Sequence, residues 1–473
     1  MTTLDTLIDD CASEPIHIPG SIQPHGLLLT LSEPALEVLQ ASSNLTVALG
    51  LDAERISGQA LASVLGSKAA AQVVLALADL DADADELHQL TLEGYAYDIL
   101  LHRHQGLLFL ELERALTVQH SAVSQLARTL RRLQSAKTLE SLYQVCVTEI
   151  RALTGYDRVT LYRFEQEGHG KVIGEALSDG MQPYLGLCFP ASDIPPQARE
   201  LYRLNWIRAI PDAEYQPVPI LPALRPDTGQ PLDLSFAVLR SVSPVHCHYL
   251  KNMGVRSSMS ISLLKDDQLW GLITCGHREP LRVPHELRTA CTSVGQLLSM
   301  QITLLQEKQE RGQQREKAAM IEELVAAMTA DQCDVMESLL PYAQSLLNLT
   351  AAGGLAILVE ERLHVFGVCP TRAEIHELYR WVRGQGKGVV HSHQLSADFP
   401  PAAAYQAHAS GLLAFCLPKP VDNAVMWFRP EVQSTVEWSG QPIKHQEPGG
   451  TTLSPRLSFE LWQQQVDGKA LYW

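Results

Sequence analysis

The sequence predicts an α+β protein in which three successive domains, each built on an antiparallel sheet, are joined by long helices. Three observations support this fold class. The chain has 473 residues, which is too long for one hydrophobic core. Short alternating or wholly apolar runs, typical of strands, recur in three separate parts of the chain. Between them, apolar residues recur every three or four positions, which is typical of amphipathic helices.

The first domain is predicted at residues 1–115, which include an irregular N-terminal segment. Closely spaced prolines and glycines disfavour regular structure before residue 26. Gly26–Leu31 is an apolar run that suits a buried strand, and Leu107–Leu112 suits the strand that closes the domain.

The second domain is predicted at residues 116–305. Ala122–Leu153 has the spacing of a helix, and Arg158–Phe164 alternates like a strand. Ser257–Leu264 alternates again, and Leu269–Ile273 is predicted to be its hairpin partner.

The third domain is predicted at residues 306–473. A long helix leads into it, and the polar stretch at 307–317 suits a solvated helix between two domains. Leu355–Val359 and Leu412–Leu417 are strand-like. A long hairpin is predicted at about residues 425–462, because two strand-like arms flank a middle rich in Gly, Pro and Thr.

The composition indicates a cytosolic, globular protein with reduced thiols. Hydrophobic residues make up 46% of the chain and charged residues 19%. The net charge of -16 argues against nucleic acid or an anionic membrane as the main partner. The nine cysteines show no CxxC spacing, so neither a disulfide framework nor a zinc ribbon is expected. No signal peptide and no membrane-spanning run is visible.

Two proline-stiffened polar loops are the first candidates for a functional site. Phe189–Pro196 holds Asp193 among three prolines, where a regular strand or helix is improbable. Ser243–Tyr249 is predicted to be a similar turn, which carries His246 beside an aromatic ring. Polar groups in such segments need partners elsewhere in the molecule, so we expect the two loops to contribute to one built site.

Side chains near these loops suit an elongated, aromatic and dianionic ligand. Guanidinium groups clamp carboxylates, aromatic rings provide walls, and serines on one strand face provide hydroxyls. Each residue also has an ordinary structural explanation when it is taken singly. The candidates are Arg208, Arg240, Tyr162, Phe189, Tyr202, Tyr249, Ser258, Ser260, His246 and His277.

Five motifs in order along the chain resemble those of the bacterial phytochrome family. They are Cys11–Gly26, Pro190–Pro195, Ser243–Val255, Trp270–Ile273 and Pro455–Phe459. The resemblance implies PAS, GAF and PHY domains, and a figure-of-eight knot that places Ile22 inside a loop of the second domain. It also implies the cofactor biliverdin IXα, a linear tetrapyrrole with two propionates.

The resemblance assigns covalent attachment of the pigment to the thiol of Cys11. Plant-type phytochromes instead use a cysteine just before the histidine that matches His246. Val245 occupies that position here, and Cys247 lies on the other side of the histidine.

The resemblance also implies a role for each pocket residue. His246 and the backbone carbonyl of Asp193 would face the inner pyrrole nitrogens, and Ile194 and Pro244 belong to the same two loops. Arg208 and Arg240 would bind the propionates, assisted by Ser258 and Ser260. Tyr162, Phe189, Tyr202 and Tyr249 would surround the D-ring, and His277 would reach its carbonyl.

The implied function is that of a red/far-red photoreceptor, not an enzyme. The long hairpin resembles the family's tongue and is hereafter the tongue hairpin. Arg456 would pair with Asp193, Ser458 would be an alternative partner, and the segment would change from strand to helix. Pro455, Trp438 and Phe459 complete this predicted signalling set. A homodimer through the long helices and an output module outside this chain are further expectations.

Three other interpretations remain open from the residues alone. His246–His248 and Cys275–His277 offer metal ligands, although their spacing matches no familiar zinc pattern. A thiol enzyme using the cysteine and the histidine of the second triplet lacks an evident orienting group. A light-independent GAF/PAS sensor of a small ligand, such as a cyclic nucleotide, leaves Cys11 and Pro455–Phe459 unexplained.

Overall fold

The computed structural model describes residues 14–81, 88–116, 122–165, 168–330, 337–360, 362–417, 423–431, 434–440, 456 and 458–466. The chain divides into two compact units. The first extends to Leu305 and also includes Glu437–Trp462, and the second comprises Gln306–Val436 and the chain from Gln463. Within the described ranges, no helix combines the length and the apolar content needed to cross a bilayer.

The first unit contains two sheets and the helices that cover them. Its strands are β1 (Ser21–Ile22), β2 (Gly26–Leu31), β3 (Val38–Ser42), β4 (His88–Leu92), β5 (Tyr95–His104), β6 (Leu107–Arg114), β7 (Arg158–Phe164), β8 (Gly170–Leu177), β9 (Cys188–Phe189), β10 (Ile207–Ile210), β11 (Val218–Leu221), β12 (Ser257–Lys265) and β13 (Gln268–His277). Its helices are α1 (Leu45–Leu49), α2 (Leu61–Leu65), α3 (Ser67–Asp81), α4 (Ala122–Ser135), α5 (Leu139–Thr154), α6 (Pro196–Leu204), α7 (Pro244–Asn252) and the start of α8 (His285–Ala330).

The first sheet has the strand order β1-β11-β3-β2-β6-β5-β4. The central strand β2 is buried along its whole length, as its apolar run predicts. Alternate residues of β2 face two cores: Leu27 and Leu29 join the core formed with α1 to α3, and Leu28 joins the other. That second core surrounds Ile22 with residues of β11 and of the loop at 232–239, a packing consistent with the expected knot.

The second sheet runs β10-β12-β13-β7-β8-β9 and continues into the arms of the tongue hairpin. One face packs against α4, α5 and α8 through a core that includes Val294, Leu298 and Ile302. The opposite face carries the candidate site. The predicted strands and the hairpin β12–β13 are confirmed here.

The predicted helix at Ala122–Leu153 is two helices. Oγ1 of Thr138 accepts a hydrogen bond from the backbone N–H of Ser141 at 3.2 Å, and the Ser141 hydroxyl approaches the Thr138 N–H in return. This capping box starts α5 and ends the helical run before it.

Both proline-stiffened loops lead into helices. Pro196 and Pro244 occupy the first turns of α6 and α7, where the fixed φ of proline favours helix initiation. The turn predicted at Ser243–Tyr249 is therefore mostly helix.

The second unit contains a five-stranded sheet of order β15-β14-β18-β17-β16. Its elements are β14 (Gly354–Val359), β15 (Arg362–Gly367), β16 (Val389–Ser392), β17 (Gly411–Cys416), β18 (Ala424–Arg429), α9 (Ala343–Thr350), α10 (Arg372–Gly384) and α11 (Leu395–Asp398). Two hydrophobic cores lie on its two faces. The arms of the tongue hairpin are β19 (Ser434–Ser439) and β20 (Leu461–Val466), so the second arm is a strand here. The α+β class with three largely antiparallel sheets is confirmed.

Candidate functional site

Two adjoining cavities lie on the open face of the second sheet, within the first unit. They enclose about 1130 Å³ and about 830 Å³ of empty space, counted to where they meet solvent. Together they suit an elongated ligand of drug size or larger. Both are lined by Asp193, Ile194, Tyr202, His246 and Tyr249.

Strand alternation positions one wall of the second cavity. Ser258 and Ser260 of β12 share a face, and Ser260 lies opposite Arg208 of β10. Tyr162 of β7 and Phe189 of β9 complete the aromatic part of the wall, their ring centroids 6.0 Å apart at 66°. These predicted residues are therefore brought together by the sheet register.

Two of the arginines that line the first cavity are Arg240, which is buried, and Arg208, which is partly buried. Arg240 donates from Nη1 to the carbonyls of Leu234 and Ser235 at 3.0 and 2.7 Å. Arg208 donates to the carbonyl of Val238 at 2.9 Å and to that of Arg240. Among the described residues, neither guanidinium forms an ion pair. Burial lowers the pKa of both, that of Arg240 to about 9, with Arg208 adding like-charge repulsion.

The buried carboxylate of Glu111, whose charge acts on both arginines, accepts hydrogen bonds from the backbone. Glu111 of β6 accepts hydrogen bonds from the N–H groups of Val238 and Leu239, at 3.0 and 2.7 Å. It thereby fixes the loop that leads to Arg240. Burial raises the pKa of Glu111 to about 7, against the effect of these two N–H donors.

His246 of α7 is a neutral imidazole at the junction of the cavities. Burial, and next the charge of Arg208, lower its pKa to about 4. A neutral imidazole keeps one nitrogen free to accept a hydrogen bond. Its ring lies nearly parallel to that of Tyr249, with the centroids 6.0 Å apart.

Asp193 forms a buried ion pair with Arg456 of the tongue hairpin. Nε of Arg456 lies 3.0 Å from Oδ1, and Nη2 lies 2.5 Å from Oδ2. Both side chains are almost wholly buried, at 2% and 3% exposure. The Tyr249 hydroxyl donates to Oδ2 at 3.0 Å. Burial alone would lower the pKa of Arg456, but Asp193 outweighs it and the net pKa is raised.

The other tongue residues lie around this pair. Trp438 pairs in register with Cys188 of β9, and Phe459 is buried with its ring 5.3 Å from that of Tyr249. The guanidinium of Arg456 lies over the Phe459 ring at 4.9 Å. Ser458 is exposed. Cys11 and Pro455, both assigned roles from the sequence, lie outside the described residues.

The structure does not bring His277 to the cavities. In the register of β12 and β13, Ser258 pairs with Gly276 and Ser257 pairs with His277. Ser258 and Gly276 line the second cavity, so His277 faces the opposite side of the sheet. There its Nδ1 lies 3.1 Å from Oδ2 of Asp157. The interpretation that His277 reaches a D-ring carbonyl is corrected accordingly.

Pro244 is also not among the cavity-lining residues. It starts α7, and its neighbours Ser243 and Val245 face the first cavity. Its contribution is to the direction of the helix that carries His246.

Several lining residues were not predicted. They include Glu14, Gln197 and Asn205 in the first cavity and Arg158, Thr160 and Thr274 in the second. Thr160 could have been found, because it lies two residues before Tyr162 on the same strand face. No local signal marks the 2.8 Å hydrogen bond from the Ser243 hydroxyl to Glu14, which joins residues 229 positions apart.

The other interpretations find little support in this geometry. No three His, Cys, Asp or Glu side chains meet as metal ligands in the part of the chain that the structure describes. Burial raises the pKa of the Cys275 thiol well above its ordinary value, so it remains protonated and weakly nucleophilic.

Comparison with known proteins gives three family matches. The family models described as PAS fold, GAF domain and Phytochrome region match residues 11–115, 138–302 and 318–473. Among curated relatives, cyanobacterial phytochrome B of Nostoc sp. is 38% identical, covering 98% of this chain and 64% of the relative. A bacteriophytochrome of Xanthomonas campestris is 33% identical, covering 98% of this chain and 76% of the relative. The chain thus spans less than two thirds of the Nostoc protein.

Solved structures match over nearly the whole chain. A bacteriophytochrome from the photosynthetic bacterium R. palustris superposes with a TM-score of 0.85 at 36% identity, covering 98% of this chain and 95% of that one. The phytochrome photosensory core module of Stigmatella aurantiaca gives 0.80 at 41% identity, with coverage of 98% and 94%. By sequence, domain order and fold, the chain belongs to the phytochrome family and forms a PAS-GAF-PHY photosensory core.

Proposed function

We propose that this chain is the light-sensing part of a red/far-red photoreceptor that binds biliverdin in the two adjoining cavities. The observation that carries the proposal is that Arg240, which is buried, and Arg208, which is partly buried, lack a carboxylate partner among the described residues. Buried cations are costly when unpaired, so this arrangement favours a ligand with two anionic groups. The two propionates of biliverdin meet that requirement.

The remaining lining residues suit the rest of such a pigment. Ser258 and Ser260 provide hydroxyls beside Arg208. The neutral ring of His246 and the backbone carbonyl of Asp193 provide acceptors for pyrrole N–H groups. The rings of Tyr162, Phe189, Tyr202 and Tyr249 exclude water from the far end.

Covalent attachment is proposed at Cys11. Glu14 lines the first cavity, and three residues of chain extend by at most about 10 Å, so the thiol lies within reach of a ligand there. In the addition, sulfur bonds to one carbon of a vinyl group and the thiol proton goes to the other. Glu14 itself accepts a hydrogen bond from the hydroxyl of Ser243 at 2.8 Å, which holds it beside the first cavity.

When bound, the pigment supplies light absorption and rotation about the double bond between its last two rings. The protein's part is to convert a local movement into a change at the tongue hairpin. Asp193 borders both cavities and also holds Arg456, so a changed hydrogen-bond pattern at Asp193 weakens or strengthens the tongue contact. The strand arm would then change to helix, and α8 would carry the signal to an output module and a second copy of the chain.

The test is an absorption spectrum recorded after the addition of biliverdin, before and after red light. We expect a red band that converts reversibly to a far-red band. Cys11→Ser should bind the pigment but release it under denaturing conditions, whereas Cys247→Ser should retain it. A light-independent sensor would show no visible band, or a band that light leaves unchanged, and either result would overturn the proposal.

A further inference from the structure

Three neighbouring side chains of α7 have different partners. His246, Tyr249 and Asn252 follow one another at intervals of three, so each lies beside the next in a row that winds gradually around the helix. His246 borders both cavities, and Tyr249 donates to Asp193. Asn252 reaches further, because its Nδ2 donates to the backbone carbonyl of Arg456 at 3.0 Å. Helix α7 therefore contacts the ligand site and the tongue hairpin through one row of side chains.

The Asn252 contact differs in kind from the ion pair beside it. The long guanidinium side chain of Arg456 can follow Asp193 through some backbone movement. The amide of Asn252 contacts the backbone itself, and so depends on the direction of that carbonyl. In a helix the carbonyl would turn along the helix axis, towards the N–H group four residues later. The Asn252 bond is therefore available to the extended tongue and lost from a helical one.

The two arms of the tongue hairpin also pack closely against each other near Arg456. The N–H of Gly440 donates to the carbonyl of Glu460 at 2.6 Å, and Gly440 has a positive φ of 78°. A Cβ at Gly440 would lie 1.9 Å from the carbonyl oxygen of Ser458. Asn252 adds to these contacts between the two arms one hydrogen bond that comes from α7, the helix that carries His246.

We propose that Asn252 is a positioning residue that stabilises the extended tongue hairpin by binding the Arg456 carbonyl, and thereby biases the balance between the two photostates. The proposal rests on the proposed light-driven change of the tongue. Asn252 should stabilise the photostate in which the tongue is extended and should have no effect on the other photostate.

The experiment compares Asn252→Ala and Asn252→Leu with the wild-type chain loaded with biliverdin. Asn252→Leu keeps the side-chain volume and removes the donor, and Asn252→Gln keeps the amide and serves as a rescue. Asn44→Ala is the matched control, because Nδ2 of Asn44 donates to the carbonyl of Gly26 at 2.8 Å, far along the chain from the tongue. Infrared difference spectra identify the photostate with the extended tongue, and limited proteolysis measures how often the tongue opens in each photostate.

Loss of one neutral hydrogen bond should raise tongue cleavage about two- to tenfold in the extended photostate. Cleavage in the other photostate and both absorption maxima should be unchanged. Asn252→Gln should recover part of the protection against cleavage. Asn44→Ala should be cleaved like the wild type in both photostates. If the Asn252 variants were cleaved at the wild-type rate, or if cleavage rose equally in both photostates, the role of Asn252 would be overturned and the proposed photoreceptor function would stand. Failure of the wild-type chain to photoconvert would instead overturn the proposed function.

Discussion

The three arginines that line the first cavity fall into two groups that differ in their counter-charge. Within the described residues, Arg208 and Arg240 donate to backbone carbonyls and to no carboxylate, and burial lowers the pKa of each. Arg456 is also buried but has a bidentate partner in Asp193, which raises its pKa overall. The difference teaches what each group can do. Arg208 and Arg240 can neutralise a bound dianion. Arg456 can act as a latch, which here means an ion pair with Asp193 that holds the tongue hairpin until it is broken.

Their positions fit these separate roles. Arg208 belongs to β10 and Arg240 to a loop fixed by Glu111, so both are held by parts of the fold with many other contacts. Arg456 belongs to the tongue hairpin. A latch must be able to open, and a binding group must stay in place.

The largest expected effect is that of Arg456→Met. Removing one partner of a buried pair leaves the other charge uncompensated, which typically costs about 3–5 kcal/mol. We expect the balance of the two photostates to shift by up to that amount, while the chain still takes up biliverdin. Dark reversion kinetics and a biliverdin titration measure the two quantities.

Arg163→Met is the matched control for this variant. Arg163 pairs with Glu165 at a partly exposed site, where an ion pair is worth at most about 1 kcal/mol. If both variants changed the photostate balance equally, the latch assignment of Arg456 would fail.

A second prediction concerns the pH dependence of the apoprotein. His246 has a folded pKa of about 4, below the unfolded value of 6.5, so the folded state resists protonation. The contribution of His246 to the free energy of unfolding is fully present above pH 6.5 and is lost as the pH falls from 6.5 towards 4. The loss amounts to about 2–3 kcal/mol, from 1.36 kcal/mol per pKa unit. Urea unfolding at pH 7 and pH 4.5 should show this loss in the wild type.

His246→Gln should remove that part of the slope. His25 and His102 also have pKa values lowered to about 4 by burial, so the remaining slope should persist in the variant. An identical slope in wild type and variant would mean that His246 is not held neutral by its surroundings.

A third prediction concerns the unpaired arginines. Each of Arg208→Met and Arg240→Met removes charge-assisted hydrogen bonds to a carboxylate, worth about 1.5–3 kcal/mol, so biliverdin affinity should fall about 10- to 150-fold per variant. Arg225→Met is the control, because Arg225 is also buried but is paired with Asp227 at 2.7 Å. Equal losses in all three variants would indicate general destabilisation instead of ligand binding.

The smallest expected effect is that of Tyr249→Phe, which removes one hydroxyl donor from Asp193. A hydrogen bond from a neutral donor to a charged acceptor contributes about 1.5 kcal/mol at the lower end of its range. The rate of dark reversion should therefore change about tenfold, while pigment uptake stays intact. Tyr156→Phe removes a hydroxyl that contacts Ser257 away from the tongue, and should leave reversion unaffected. Unchanged reversion in both variants would separate Tyr249 from the latch.

Sequence reasoning was most successful where local pattern decides structure. The alternation in β12 predicted that Ser258 and Ser260 share a face, and both line the second cavity. Motif resemblance supplied Asp193 and Arg456. It failed for His277, because strand register decides which face a residue takes and a shift of one residue reverses it. It could not find the Asn252–Arg456 bond, which joins residues 204 positions apart through tertiary packing.

The central claim is that Arg208 and Arg240 receive two anionic groups of the ligand. Biliverdin and its dimethyl ester differ only in those groups, so parallel titrations of the wild-type chain and of the Arg208→Met/Arg240→Met double variant test the claim most directly. We predict that the wild type binds the free acid at least about tenfold more tightly than the ester, and that the double variant binds both alike. Equal affinities for acid and ester in the wild type would contradict the account.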